Sequence, residues 1–199
     1  MRKLARSLGV EAMSLYNHVA NKGDLVDGMV DLVVSEIELP SAGKEWDEAI
    51  RAYAVFAHEA FLRHPWACNL VMGTTSTQGL RAGRLQYMEW LLRQLREAGF
   101  SPELAYHGYH ALDSHILGFT LWQLGHAAAA QAFADEDVNE VATKFLRELR
   151  GGGYPYLAEH GEQHLAAGTG EGAREFEFGL DLILDGLRRA LADAARVQT

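Results

Sequence analysis

Apolar residues in this chain recur at helical spacing almost throughout, and no segment alternates convincingly as a strand would. The final stretch, about Ala173 to Ala194, is the strongest case. Phe176, Leu180, Ile183, Leu184, Leu187 and Leu191 form one stripe, and Phe178, Leu182 and Gly186 widen it beyond what a single core contact needs. A helix apolar over most of its circumference has to be covered on two sides. The fold class is therefore expected to be all-α. This last helix lies either at the centre of a monomeric bundle or against a second copy of the chain.

The rest of the sequence divides by its caps and breakers. Asp24 to Leu39 keeps Leu25, Met29, Leu32, Val33 and Ile37 in register and stops before Pro40, and Ser41-Ala42-Gly43 reads as a short linker. Glu45 to His64 follows, with Trp46, Ile50, Tyr53, Ala54, Ala57 and Phe61 on one face and Pro65 as the stop. A turn rich in glycine and threonine, Gly73 to Thr77, leads to a helix from about Leu80 to Ala98. Ser101-Pro102-Glu103 is a start signal, a serine cap with proline in the first turn, for a helix to about Ala130. Residues 138–149 make a shorter helix, and Gly151 to Gly172 reads as a mobile, glycine-rich stretch.

The amino-terminal segment is different in kind. Leu4, Ala5 and Leu8 are helically spaced, Gly9 ends that helix, and Val10 is expected as a buried plug after the turn. Glu11 and Ala12 open a second helix with Leu15 and Val19 facing inward. Ala12, Met13, Ser14, Tyr16, Asn17 and His18 are left at its start and outer face, the kind of set that reads base edges in a major groove. Arg2, Lys3, Arg6 and Lys22 flank it with charge suited to phosphates. Two ordinary amphipathic helices joined by a glycine turn would explain the spacing but not the outward Ser14, Tyr16, Asn17 and His18.

Charge agrees once it is divided. The chain of 199 residues carries −9 in all, yet residues 1–22 hold four basic groups against Glu11, a surplus of three that leaves −12 on the remainder. A basic tip on an acidic body repels nucleic acid from every face but one. No apolar run approaches the roughly 20 residues of a membrane span, and no signal peptide opens the chain. With the single Cys68, read as a small core residue, this points to a soluble cytoplasmic protein.

The run L-A-R-S-L-G-V-E-A-M-S-L-Y-N-H-V-A-N-K-G-D-L, residues 4–25, resembles the tetracycline-repressor (TetR) family of one-component transcriptional regulators. The likeness continues at Trp46, at Gly99-Phe100-Ser101 and at Phe176 to Leu180, and points to the subgroup with a tetracycline-repressor-like C-terminal domain. It implies a partial helix-turn-helix at 1–22, a connecting helix at 23–39 and an effector-binding and dimerisation domain at 40–199. The implied function is a ligand-responsive regulator, a repressor by expectation, that binds a pseudo-palindromic operator as a homodimer. The dimer would form through the helix after Pro102 and the C-terminal helix around Phe176 to Leu191. DNA contacts fall to Arg2, Lys3, Ala12, Met13, Ser14, Tyr16, Asn17, His18 and Lys22. A three-helix DNA-binding domain would already be one helix old at Met1, so residues 1–22 are expected to be loosely packed and to bind DNA weakly. The alternative is a dimeric small-molecule-binding protein without DNA binding.

The resemblance places Tyr53, Ala57, Met72, Thr74, Tyr87, Met88, Trp90, Leu91, His110, Asp113, Ser114 and Leu117 on segments that line the family's effector cavity. Apolar and aromatic walls with few polar groups suit a small apolar or aromatic effector. In the tetracycline repressor a histidine of the corresponding turn, and a glutamate, help to hold drug-bound magnesium. Here Val71 and Trp122 stand at those places, so a different effector and no magnesium or other cofactor are expected. Nine histidines raise a metal reading, but His107 with His110 and His160 with His164 supply only pairs. There is no nucleophile elbow, phosphate loop or carboxylate pair, and no enzyme is expected.

Overall fold

The computed structural model describes residues 1–40, 43–73, 82–132, 138–167 and 172–197, and all its regular structure there is helical. Ten helices follow one another: α1 (Arg2–Leu8), α2 (Ala12–Tyr16), α3 (Lys22–Ser35), α4 (Trp46–Arg63), α5 (Pro65–Gly73), α6 (Ala82–Glu97), α7 (Pro102–Ala132), α8 (Val138–Gly151), α9 (Pro155–Ala167) and α10 (Gly172–Val197). None is long and apolar enough to cross a membrane among the described residues.

Local chemistry accounts for most of the boundaries. Gly9 takes φ +69° after α1, and the amides of Gly9 and Val10 return to the carbonyls of Arg6 and Ala5, satisfying the helix end as only a left-handed residue allows. Asn21 caps α3 by accepting from the Asp24 amide at 3.0 Å. Ser101 caps α7 by accepting from the Leu104 amide at 3.1 Å, ahead of Pro102. α3 ends at Ser35, short of the expected Leu39, because Glu36 and Ile37 close it with their amides on Leu32 and Val34.

One core runs through α3 to α7 and α10. Val30, Val33 and Val34 of α3 meet Ile50, Tyr53, Ala57 and Phe61 of α4, while Leu112 and Ile116 of α7 pack with Phe176, Leu180 and Leu184 of α10. Small residues let α4 approach its neighbours, with Ala54, Ala57 and Ala60 essentially inaccessible. Cys68 is buried here as expected, its thiol pushed up to about 11 by burial.

The expected mobile stretch from Gly151 to Gly172 requires correction. Only residues 152–154, with Gly153 at φ +84°, are non-helical before Pro155 opens α9, and residues 168–171 of that stretch lie outside the described residues. α9 packs back on α8: Ala158 is buried, and a Cβ at Gly161 would stand 2.8 Å from Leu146 Cδ2. Glycine at 161 thus serves close helix packing, whereas in the sequence it resembled another mark of looseness. The turn around Thr74 lies outside the described residues.

Candidate DNA-reading segment and ligand cavity

Residues 1–22 fold as two short helices whose only buried side chain is Ala5. Leu4, Leu15 and Val19 are half-buried. Val10, expected as a buried plug, is 43% exposed and Leu8 is 59% exposed, because no described helix covers that side of the pair. Met13 and Tyr16 are exposed at 71% and 45%, and Ser14 is exposed beside them, while Ala12 is half-buried at the start of α2. α2 stops at Tyr16, so Asn17 and His18, both exposed, lie just past its end. Arg2, Lys3 and Lys22 are also exposed, the first two on α1 and Lys22 at the first position of α3.

In the body, Tyr53 of α4 and Tyr87 of α6 stack face to face, their centroids 4.6 Å apart and their planes at 11°. Trp90 closes on Tyr53 at 5.2 Å and Tyr109 on Tyr87 at 6.4 Å. The Tyr87 hydroxyl donates to Asp113 Oδ1 at 3.1 Å. Burial raises the Asp113 pKa above the ordinary carboxylate value, against the lowering pull of the Tyr87 hydrogen bond and of Arg84 and His110. Burial, and then the neighbouring Asp113 charge, push the Tyr109 phenol up to about 12 and raise Tyr53 as well; Tyr87 is raised by burial, then by Tyr53 and Asp113.

Tyr53, Tyr87, Tyr109 and Asp113 line a cavity of about 20 Å³, completed by Arg84 and the apolar side chains of Phe61, Ile116 and Leu117. That is room for water and not for a drug-sized molecule. Tyr53, Tyr87 and Val34 are shared with an outer groove of about 220 Å³ between α3 and α6.

The wall of this cavity is joined to α3. Asp31 Oδ1 accepts from the amides of Gly83 at 3.0 Å and Arg84 at 3.3 Å, capping α6 from a different helix. Gly83 is needed for that approach, since a Cβ there would stand 3.1 Å from the Asp31 carbonyl oxygen and overlap Ser35 Oγ. Arg84 also donates to the Val71 carbonyl oxygen at 3.0 Å, so one residue touches α5, the α6 cap and the cavity.

Of the expected effector residues, Tyr53, Ala57, Tyr87, Asp113 and Leu117 line the cavity. Trp90 and Met88 support it from the core edge, and Leu91 is buried in the core without lining it. His110 and Ser114 are exposed and do not line it. Successive helical residues point about 100° apart, so with Tyr109, Asp113 and Ile116 facing inward, Ser114 faces out and His110 packs on Tyr106 at the surface. Met72 is placed only as part of α5, and Thr74 lies outside the described residues. Arg84, Tyr109 and Asp31 were not singled out by sequence; only contacts between distant segments reveal them.

Val71 and Trp122 do not fit a drug-bound magnesium. The Val71 side chain is apolar and buried, its carbonyl oxygen receives Arg84, and an indole N–H can only donate. No group of three metal-capable side chains comes together among the described residues.

An apolar stripe on the outer side of the body remains open. Ser114, Gly118, Trp122 and Gly125 of α7 and Phe178 and Leu182 of α10 are exposed, Phe178 at 67% and Leu182 at 57%. A Cβ at Gly118, Gly125 or Gly186 would meet nothing within 4 Å.

The family model for the tetracyclin repressor-like C-terminal domain matches residues 39–191. The chain belongs to the TetR family of transcriptional regulators. Among TetR-family relatives it is 31% identical to the repressor DrrR1 of Streptomyces coeruleorubidus over 198 residues, covering 96% of this chain and 70% of that protein. It is 30% identical over 191 residues to the class D tetracycline repressor protein of Escherichia coli, covering 92% and 82%. Among solved TetR-family structures, ActR of Streptomyces coelicolor superposes with a TM-score of 0.72 at 26% identity, over 96% of this chain and 87% of that one, both without ligand and in complex with actinorhodin.

Proposed function

We propose that this TetR-family regulator is a ligand-responsive repressor that binds a pseudo-palindromic operator as a homodimer and is released by a small apolar or aromatic effector. The observation that carries the reading is the cap of α6 by Asp31, which makes the cavity wall and the connecting helix α3 one mechanical unit. An effector cannot fit about 20 Å³. Its entry displaces Tyr87 and Arg84, and through the cap it shifts α3, which leads directly from α2. The relatives' names and the ActR complex with actinorhodin support the same reading.

A dimer through the open stripes of α7 and α10 would set two α2 helices in successive major grooves, about 34–36 Å apart. Tilting α3 in each protomer spoils that spacing. The switching energy is the difference in effector affinity between the two arrangements, typically 1–3 kcal/mol of coupling. Acting on an operator places the protein in the cytoplasm.

The reading without DNA binding draws on the thin packing of residues 1–22, where Ala5 alone is buried. Footprinting on the DNA flanking the protein's own gene separates the two. Two protected half-sites on one face of the duplex, lost as salt is raised, are expected. A uniform pattern at low salt would leave a dimeric binding protein only.

A further inference from the structure

We infer that the effector is a flat aromatic molecule bearing a positive charge, an amine or quaternary ammonium, with the Asp113 carboxylate as its counter-ion. This rests on the cavity being the effector site. Asp113 has acceptor capacity for about four hydrogen bonds and receives one, from Tyr87, among the described residues. Ile116 and Leu117 beside it offer no compensation. A buried carboxylate with acceptor sites to spare gains from a further donor or cation.

The remaining walls suit the same ligand. Tyr53, Tyr87 and Tyr109 line the cavity, and aromatic rings attract a cation within about 6 Å of a face and stack on a flat aromatic body. Two side chains bear on Asp113, Arg84 and His110. His110 is exposed, and Arg84 spends one guanidinium nitrogen on the carbonyl oxygen of Val71. An anionic ligand drawn to Arg84 would also have to sit near Asp113, whereas a cation is opposed only by a guanidinium already hydrogen-bonded to α5.

The approach is acidic as well. The outer groove that shares Tyr53 and Tyr87 with the cavity carries Glu38, and the adjoining groove adds Glu36 and Glu59 against the cation Arg63. With the chain's net −9 made up of −12 on the body and +3 on residues 1–22, the body raises the local concentration of cations at this mouth and depletes anions.

The test uses three probes with one ring system, 2-naphthyl-trimethylammonium, naphthalene-2-sulfonate and 2-methoxynaphthalene, titrated calorimetrically into the full chain at pH 7. The ammonium probe is expected to bind at least tenfold more tightly than the sulfonate. Asp113→Asn should weaken the ammonium probe at least tenfold and change the neutral probe less than twofold, which also shows that the variant is folded. Tyr87→Phe, which keeps the carboxylate, should retain the preference for the cation. Equal or tighter binding of the sulfonate, or an ammonium affinity indifferent to Asp113→Asn, overturns the charge assignment while the cavity stands. If no probe binds, the cavity reading itself fails and this inference falls with it.

Discussion

Gly83→Ala sets two calculable effects against each other at the contact between cavity wall and connecting helix. Helix propensity favours alanine by about 1 kcal/mol at most, since position 83 is in the first turn of α6. Against it, the new Cβ meets Asp31 Oδ1 at 3.0 Å, the Asp31 carbonyl oxygen at 3.1 Å and Ser35 Oγ inside contact distance. Ser35 can rotate away, but the Asp31 carbonyl belongs to the α3 backbone. Relief therefore requires α6 to retreat by a few tenths of an ångström, stretching the bonds from Gly83 and Arg84 to Asp31, the second of which is already 3.3 Å. Overpacking of this kind costs about 1–3 kcal/mol and loss of a cap about 1 kcal/mol. The balance is a net loss of about 1–3 kcal/mol, read as a lower urea midpoint at unchanged slope, with faster hydrogen exchange at residues 82–86 and along α3. Adding Ser35→Ala should return part of the loss. If Gly83→Ala raises stability by about 1 kcal/mol, propensity alone governs the site and α6 is not clamped to α3.

Three further outcomes follow from the same structure. His58, 3% exposed, stacks on Phe176 and shares a 2.7 Å hydrogen bond with Thr120, and burial lowers its pKa to about 4. Between pH 6.5 and 4 the unfolded chain takes up a proton there that the native state refuses, so stability falls by about 3 kcal/mol as pH drops through that window; denaturation of His58→Phe should show one proton less of pH dependence, and an unchanged slope would remove His58 as the cause. Leu182→Glu places a charge in the open stripe of α10 and should convert a two-chain species to one chain in sedimentation without lowering the monomer's helicity; a variant that still dimerises would move the interface elsewhere. Cys68, buried with its thiol at about 11, should react with a thiol reagent only as fast as the protein opens, and immediate labelling of the native protein would contradict its place in the core.

Much of this architecture was legible residue by residue. Glu45 ahead of α4, Pro65 at its end and Ser101-Pro102 ahead of α7 mark boundaries within a residue of those observed, because caps and proline act locally. α9 was hidden because Gly152, Gly153 and Gly161 look alike in sequence, yet two of them make a turn and the third admits Leu146. The cavity was half legible. Tyr53, Ala57, Tyr87, Asp113 and Leu117 follow from family likeness and helical spacing, but the rotation of α7 that chooses Tyr109 over Ser114 is set by packing against α4 and α6. The cap from Asp31 to Gly83 spans 52 positions, and nothing in either segment alone announces it.

The central claim is that filling the cavity moves the DNA-reading helices of a two-fold dimer. Spin labels on Met13→Cys, exposed at 71% on α2, report the separation directly by pulsed dipolar spectroscopy, with the native Cys68 buried and unlabelled. The account predicts one defined inter-label distance in the free protein and a shifted one on saturation with the tightest of the three naphthyl probes, the shift being lost in Asp31→Ala. The same distance with and without the probe, or no dipolar coupling at all, would contradict it.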